Sequence, residues 1–151
     1  MSDLVELYQE LVLDHNNRPR NKRTMEDASN TADGYNPLCG DQVSVFLKVT
    51  DGVIADVAFQ GVGCAISQSS ASMMTQNVKG KSVEEAGALF EVFHSMVTRE
   101  PGEDFDSGSL GELEALAGVC AFPNRIKCAS LAWHTMAASL DPKKAEQVTT
   151  E

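Results

Sequence analysis

The sequence predicts one domain of the α+β class, spanning residues 1–151. Residues 42–59 alternate between apolar and polar types around an Asp-Gly pair, which is typical of an antiparallel hairpin. Segments before and after this hairpin carry the spacing and the end signals of helices. A chain of 151 residues with 42% hydrophobic content can bury one core, which argues against two domains.

An amphipathic helix is predicted at the N-terminus. Its apolar residues recur at spacings of three and four and share one face: Leu4, Leu7, Tyr8, Leu11 and Val12. Acidic residues stand where a secretion signal would be basic, so no signal peptide is expected. Residues 15–38 are polar, include the basic run "RPRNKR", and are predicted as ordered loop with a short strand near residues 31–35.

The alternating segment predicts a β-hairpin that begins at Gln42 and turns at Asp51-Gly52. Residues of the first strand that are predicted to share one face are Val43, Val45, Leu47 and Val49. The corresponding residues of the returning strand are Val53, Ala55, Val57 and Phe59.

Two helices are predicted after the hairpin. The first follows Gly63, contains mostly small residues and two methionines, and ends at Gly80, as a closely packed helix would. "SVEE" at 82–85 fits the capping box of the second. The buried face of that second helix is predicted to contain Ala86, Leu89, Phe90, Phe93, Met96 and Val97.

The segment 99–118 is rich in acidic residues and glycine and contains a proline, so it is predicted as a surface insertion within the same domain. The last helix is predicted to begin at Pro123, which suits a first helical turn, and to end near Leu140. Its inward positions are expected to be Ile126, Leu131, Met136 and Leu140.

Composition excludes several classes of function. A net charge of −10 and a pI near 4.7 argue against nucleic-acid binding, which needs clustered lysine and arginine. No run of about 18 apolar residues occurs, so no membrane span is expected. The protein is therefore predicted to be cytoplasmic. Thiols stay reduced there, so the four cysteines are expected to be metal ligands or nucleophiles rather than two disulfides.

Three of the cysteines are predicted to approach one another. Cys39 precedes the hairpin and Cys64 follows it, so the two lie at the same end, and Cys128 can approach from the last helix. Asp41 lies two residues after Cys39 and projects to the same side. Three sulfurs and one carboxylate oxygen suit a tetrahedral zinc ion. No C-x-x-C pair is present, so buried structural cysteines are the alternative.

Four segments of the chain together carry a family resemblance. They are "LVLDHNNRPRN" at 11–21, "NPLCGD" at 36–41, "GCAISQSSASMMT" at 63–75 and "RIKCASLAW" at 125–133. In this order they resemble the U-type iron–sulfur assembly proteins, the SufU/IscU family, which is similar to the NifU N-terminal domain. The chain looks like the SufU branch, because Lys127 stands where the IscU scaffolds have histidine and residues 99–119 match the SufU insertion.

The resemblance implies a small antiparallel sheet packed on one face by several helices. It also implies a zinc-dependent sulfurtransferase that accepts persulfide sulfur from a SufS-type cysteine desulfurase and passes it to a downstream assembly scaffold. The zinc ligands carry over to Cys39, Asp41, Cys64 and Cys128. Cys39 is implied to be the acceptor, released as a thiolate when a desulfurase histidine takes its place on zinc.

Two residues near these motifs have open roles. Arg125 is expected either to offset the negative charge of the ligands or bind a partner's carboxylate, or to be an ordinary exposed arginine. Cys120 falls outside the motifs and is either a bystander or a second thiol that relays sulfur.

Two other functions compete with sulfur transfer. An IscU-type scaffold would carry a transient iron–sulfur cluster on the same cysteines. A structural zinc domain would serve only to bind other proteins. Replacing Cys39 distinguishes a structural zinc domain from a sulfur acceptor. The structural domain should unfold, whereas the sulfur acceptor should stay folded and become inactive.

Overall fold

A small sheet whose three longer strands are antiparallel, with helices packed against it, forms the framework of the protein, as the sequence predicts. The computed structural model describes the backbone of residues 3–106, 108–141 and 148–149, and the side chains of residues 8–106 and 108–141. The elements in chain order are α1 (Asp3–Asn17), β1 (Asn30–Asn36), β2 (Asp41–Thr50), β3 (Val53–Val62), α2 (Ala65–Val78), α3 (Val83–Thr98), a 3-10 helix (Gly111–Ala121), α4 (Pro123–Ser139) and β4 (Val148–Thr149).

The sheet has the strand order β3-β2-β1-β4. The central strand β2 pairs with β1 and β3 in antiparallel fashion, whereas the two residues of β4 pair with β1 in parallel. The short strand expected near residues 31–35 is therefore β1. Among the described helices, none combines the length and apolarity needed to cross a lipid bilayer.

The β2–β3 hairpin turns at Asp51-Gly52, as predicted. Both residues have positive φ, 52° and 78°, which suits the tight turn that matches strand twist. The inward positions predicted for β2 are confirmed for Val43, Val45 and Leu47, which are buried.

The inward positions predicted for the start of β3 are wrong. Val53 and Ala55 are exposed, and Ile54 between them is fully buried. Lys48 pairs with Asp56 while Val49 pairs with Ile54, so a bulge leaves Ala55 as an extra residue. One extra residue reverses which side chains face the core. Val57 and Phe59 are buried as predicted, and Ala58 between them is buried as well.

An aromatic group joins α3 to α4 in the core. The indole of Trp133 stacks on Phe93, with ring centroids 4.6 Å apart, and its Nε1 donates to Ser70 Oγ of α2 at 3.2 Å. Most of α2 is buried, including small residues at 69–72, which confirms a closely packed helix. The predicted buried face of α3 is also confirmed, except that Phe90 is only half-buried.

The segment 99–118 differs from the surface insertion that was predicted. Residues 100–104 are mostly exposed, but the chain then enters the core through residues at a spacing of three: Leu110, Leu113, Leu116 and Val119. A 3-10 helix has three residues per turn, so this spacing places all four on one side. Glu112 further joins the segment to the remainder of the protein, accepting from Asn77 at 3.1 Å and contacting the buried His15 ring at 3.3 Å.

The capping box of α3 is confirmed and gives a stability prediction. Ser82 Oγ accepts from the Glu85 backbone N–H at 3.1 Å, and the Glu85 side chain accepts from the Ser82 N–H at 2.9 Å. We expect Ser82→Ala to lower the free energy of unfolding by about 1 kcal/mol, or about 2–4 °C in Tm. Ser95→Ala, at an exposed site of the same helix, is the control for scanning calorimetry. Equal Tm values for the two variants would contradict this role.

Candidate metal centre

Three parts of the chain meet at one end of the sheet. A four-residue turn joins β1 to β2 and carries Cys39, and Gly40 closes it with φ of 73° and an N–H bond to Asn36 O at 2.9 Å. Asp41 is the first residue of β2. Antiparallel pairing of Gln42 with Val62 brings the residues after β3, including Cys64, beside Asp41. Cys128 comes from the second turn of α4.

Cys39, Asp41 and Cys128 form the centre of this meeting point. The sulfurs of Cys39 and Cys128 are 3.4 Å apart. One ligand atom from each of the three residues lies within 4.8 Å of the other two. Asp41 and Cys128 are fully buried, whereas Cys39 is exposed. The arrangement therefore has two buried ligand groups behind one surface thiol.

Cys64 borders this group rather than belonging to it. Its backbone N–H donates to Asp41 Oδ1 at 3.0 Å, which holds the two residues together. Its sulfur caps α2 by accepting from the Ser67 N–H at 3.5 Å. The half-buried Cys120 also lies outside the three-residue group, at the end of the 3-10 helix.

The charge environment ties these residues together. Burial, followed by hydrogen bonds with Asp41 and Cys39, raises the pKa of the Cys128 thiol far above its ordinary value. Arg125 lies exposed on the first turn of α4. The negative charge of Cys64 and a hydrogen bond with Cys128 raise the pKa of its guanidinium. A cation therefore stands beside the cysteines.

The residues present fit a zinc ion. Asp41 is a fully buried carboxylate, and its partners include Asn36, the Cys64 N–H and the Cys128 thiol, none of which is a cation. A buried carboxylate without a positive partner is costly, and a divalent ion would compensate it. Thiol sulfur combined with one carboxylate oxygen is a donor set that zinc accepts.

Sequence reasoning missed two residues of the site. Asn36 is fully buried, and its Nδ2 lies 3.5 Å from Asp41 Oδ2 and 3.6 Å from Cys128 Sγ. A Cβ atom added to Gly63 would lie 2.6 Å from Asp41 Oδ1, so only glycine allows this approach. In the sequence, Asn36 stands in the motif "NPLCGD" without an assigned role, and Gly63 is noted only as the residue before a predicted helix.

Exposed apolar side chains lie close in sequence to residues of the site. Of the five large hydrophobic residues that are exposed in the described part of the chain, three lie within three positions of a site residue. These are Leu38, Val62 and Phe122, with exposed fractions of 57%, 64% and 61%. We refer to them as the apolar rim.

Comparisons with known proteins identify relatives of this chain. The sequence profile of the NifU-like N-terminal domain matches residues 7–129. The zinc-dependent sulfurtransferase SufU of Bacillus subtilis (strain 168) is 42% identical over 136 residues, covering 89% of this chain and 90% of that protein. The iron–sulfur cluster assembly scaffold protein IscU of Streptococcus pyogenes serotype M1 is 42% identical over 151 residues, covering 100% of this chain and 93% of that protein.

A solved structure shares the fold. It belongs to a protein of Fervidobacterium islandicum AW-1 that is provisionally assigned as an iron–sulfur cluster assembly scaffold for the SUF system. The two align with a TM-score of 0.82 and 31% sequence identity, over 93% of this chain and 100% of that one. The sheet and helices described above are therefore those of an experimentally known architecture.

Proposed function

The chain belongs to the NifU-like N-terminal domain family of iron–sulfur cluster assembly proteins, and on that premise we propose that it is a zinc-dependent sulfurtransferase with Cys39 as the sulfur acceptor. The observation that supports this most is the contrast in exposure within one group of ligands. Cys39 is exposed, whereas Asp41 and Cys128, which lie within 4.8 Å of it, are fully buried. Of these three residues, Cys39 is the one that a partner protein can reach.

Zinc would be held by Cys39, Asp41 and Cys128, with Cys64 as the fourth ligand from the border of the group, where it contacts Cys128. When bound, zinc keeps thiols deprotonated at neutral pH and brings no redox chemistry of its own. The buried residues Asp41 and Cys128 serve as the permanent part of the site. Cys39 sits on a turn between two strands, where its sulfur can leave the group without disturbing the core.

The transfer itself exchanges one sulfur–sulfur bond for another. The Cys39 thiolate attacks the outer sulfur of a cysteine persulfide on the donor enzyme. That S–S bond breaks, a new S–S bond forms at Cys39, and the donor cysteine leaves as a thiolate. No external oxidant or reductant is needed. The exposed guanidinium of Arg125 beside these sulfurs favours the negative charge present throughout the exchange.

The proposed donor is a SufS-type cysteine desulfurase, and the proposed recipient is a downstream iron–sulfur assembly scaffold. The exposed side chains of the apolar rim would supply apolar area for the core of the interface with such a partner. The four cysteines are free, so we place the reaction in the reducing cytoplasm.

The apolar rim gives a prediction about partner binding. We expect Phe122→Ser to raise the concentration of this protein needed for half-maximal desulfurase activation roughly tenfold, because large aromatic contacts dominate interface energies. Zinc content should not change. Leu13→Ser, at a 53% exposed site on α1, is the matched control and should have no effect. Equal effects of the two variants in titrated activity assays would contradict docking at the rim.

The test of the proposed function is the rate of alanine production from cysteine by a SufS-type desulfurase. Zinc-loaded and metal-free forms of the protein are compared, and mass spectrometry measures sulfur added to the chain. We expect the zinc-loaded form alone to accelerate turnover and to gain sulfur. If neither form accelerates turnover, the transfer proposal is wrong.

A cluster scaffold is the second candidate, favoured by the name of the Streptococcus pyogenes relative. The same cysteines would then bind iron and sulfide. Anaerobic reconstitution with both, followed by visible absorption, distinguishes the two functions. A stable cluster without any acceleration of the desulfurase would favour the scaffold.

A further inference from the structure

Asn36 occupies a position between two proposed zinc ligands that come from distant parts of the chain. It is the last residue of β1 and is fully buried. Its Nδ2 lies 3.5 Å from Asp41 Oδ2 and 3.6 Å from Cys128 Sγ. Its Oδ1 accepts from the Leu38 backbone N–H at 3.2 Å, inside the turn that carries Cys39.

We propose that Asn36 is a positioning residue for the metal centre, whose amide hydrogens orient Asp41 and Cys128 while its oxygen fixes the Cys39 turn. This inference rests on the proposed zinc site. Asn36 is not itself a ligand, but it contacts Asp41, Cys128 and the turn that carries Cys39.

The hydrogen-bond donors and the acceptor of an asparagine side chain match the groups that surround Asn36. An asparagine side chain has two N–H donors and one carbonyl oxygen. Here the donors face a carboxylate and a sulfur, and the oxygen faces a backbone N–H. Aspartate would place a third anionic group against the other two, and serine is too short to reach both ligands.

The hydrogen bonds hold the Asp41 carboxylate from two sides. Oδ2 faces the Asn36 amide, and Oδ1 accepts from the Cys64 N–H at 3.0 Å. With both oxygens engaged, the plane of the carboxylate is fixed, and each oxygen keeps a further lone pair for a metal. Residues that orient metal ligands in this way typically contribute 10–100-fold to metal affinity.

A role in the turn alone is the competing explanation, and metal affinity distinguishes it. Serine can replace the Asn36 oxygen as an acceptor for the Leu38 N–H, so Asn36→Ser preserves the turn but removes the bridge to the ligands. Zinc affinity of fully folded protein does not depend on its global stability. A residue that only stabilises the fold would therefore change Tm without changing zinc affinity.

The experiment measures zinc affinity of the full-length protein by competition with a chromophoric chelator, below the unfolding transition. We expect Asn36→Ser to weaken zinc binding about 10–100-fold. The control is Asn30→Ser, which removes an amide hydrogen bond to Ser139 O from the other end of β1, and it should bind zinc like the wild type. Absorption spectra of the Co²⁺-loaded forms should show altered ligand geometry in Asn36→Ser only.

A second variant and a reference variant complete the design. Asn36→Asp keeps the size and the turn acceptor, so it serves if Asn36→Ser does not fold, and it should also lose affinity. If Asp41→Ala binds zinc weakly but a folded Asn36 variant binds zinc like the wild type, the proposed role of Asn36 is overturned and the proposed metal centre is not. Unchanged affinity in Asp41→Ala would overturn the proposed metal centre, and this inference with it.

Discussion

Replacing Cys39 with alanine is expected to abolish sulfur acceptance and leave the protein folded. The side chain is exposed on a turn, so its removal creates no cavity, and such surface changes usually alter stability by less than about 0.5 kcal/mol. Without the Cys39 thiol no new sulfur–sulfur bond can form at the accessible position of the site. Alanine production should then fall to the rate of the desulfurase alone.

Cys120→Ala is the matched control for that loss. Cys120 is a half-buried thiol outside the group formed by Cys39, Asp41 and Cys128. Its replacement should preserve full activation and persulfide formation. Circular dichroism and zinc content are measured for both variants. Unfolding of Cys39→Ala would instead favour a structural zinc domain, and loss of activation in Cys120→Ala would assign that thiol a relay role.

Local signals account for the parts of the fold that the sequence predicts well. The turn at Asp51-Gly52, the capping box at Ser82 and Glu85, and the proline that opens α4 each depend on residues within four positions of one another. Their backbone preferences act without help from distant parts of the chain. The structure therefore has these features where the sequence predicts them.

Pairing between strands accounts for what the sequence does not predict. Val53 and Ala55 fit an alternating pattern, yet the bulge opposite Lys48 and Val49 turns Ile54 inward instead. The position of the bulge depends on how β3 pairs with β2, and the residue pattern within β3 alone does not predict that pairing. The pairing of β4 with β1 likewise joins segments more than 100 residues apart.

The 3-10 helix is not among the predicted elements, although the sequence contains a signal for it. Leu110, Leu113, Leu116 and Val119 recur at a strict spacing of three, which neither an α-helix nor a strand favours. The surrounding glycines and acidic residues favour a loop, and the predicted surface insertion rests on them rather than on this spacing. Burial of the four side chains decides the conformation that the segment adopts.

The ends of the hairpin predict how the candidate site assembles. Closure of β2 against β3 brings Asp41 beside Cys64, and the Cys39 and Cys128 sulfurs lie 3.4 Å apart. Cys64, which was also expected to meet Cys39, lies at the border of the three-residue group. Asn36 could not be assigned, because it acts through a contact with Cys128, 92 residues away. Gly63 could not be assigned either, since its role depends on the lack of a side chain.

Gly63→Ala is expected to weaken zinc binding as strongly as loss of an orienting residue, on the order of 10–100-fold. The new methyl group would lie 2.6 Å from Asp41 Oδ1 and 3.1 Å from its Cγ, so the carboxylate must move. The Asp41 bond to the Cys64 N–H would be lost with that movement. The φ of Gly63 is not positive, so the methyl contact rather than backbone strain is the cause.

Gly87→Ala provides the matched control for this steric argument. Gly87 lies within α3, and an added Cβ there has no heavy atom within 4 Å. This variant should keep wild-type zinc affinity and gain about 0.5–1 kcal/mol of stability, because alanine favours the helix. Chelator competition and desulfurase activation are measured for both variants at limiting zinc. The added methyl group and the Asp41 carboxylate cannot both occupy their positions in this structure. Wild-type zinc affinity in Gly63→Ala would therefore mean that Asp41 does not bind the metal from its present position.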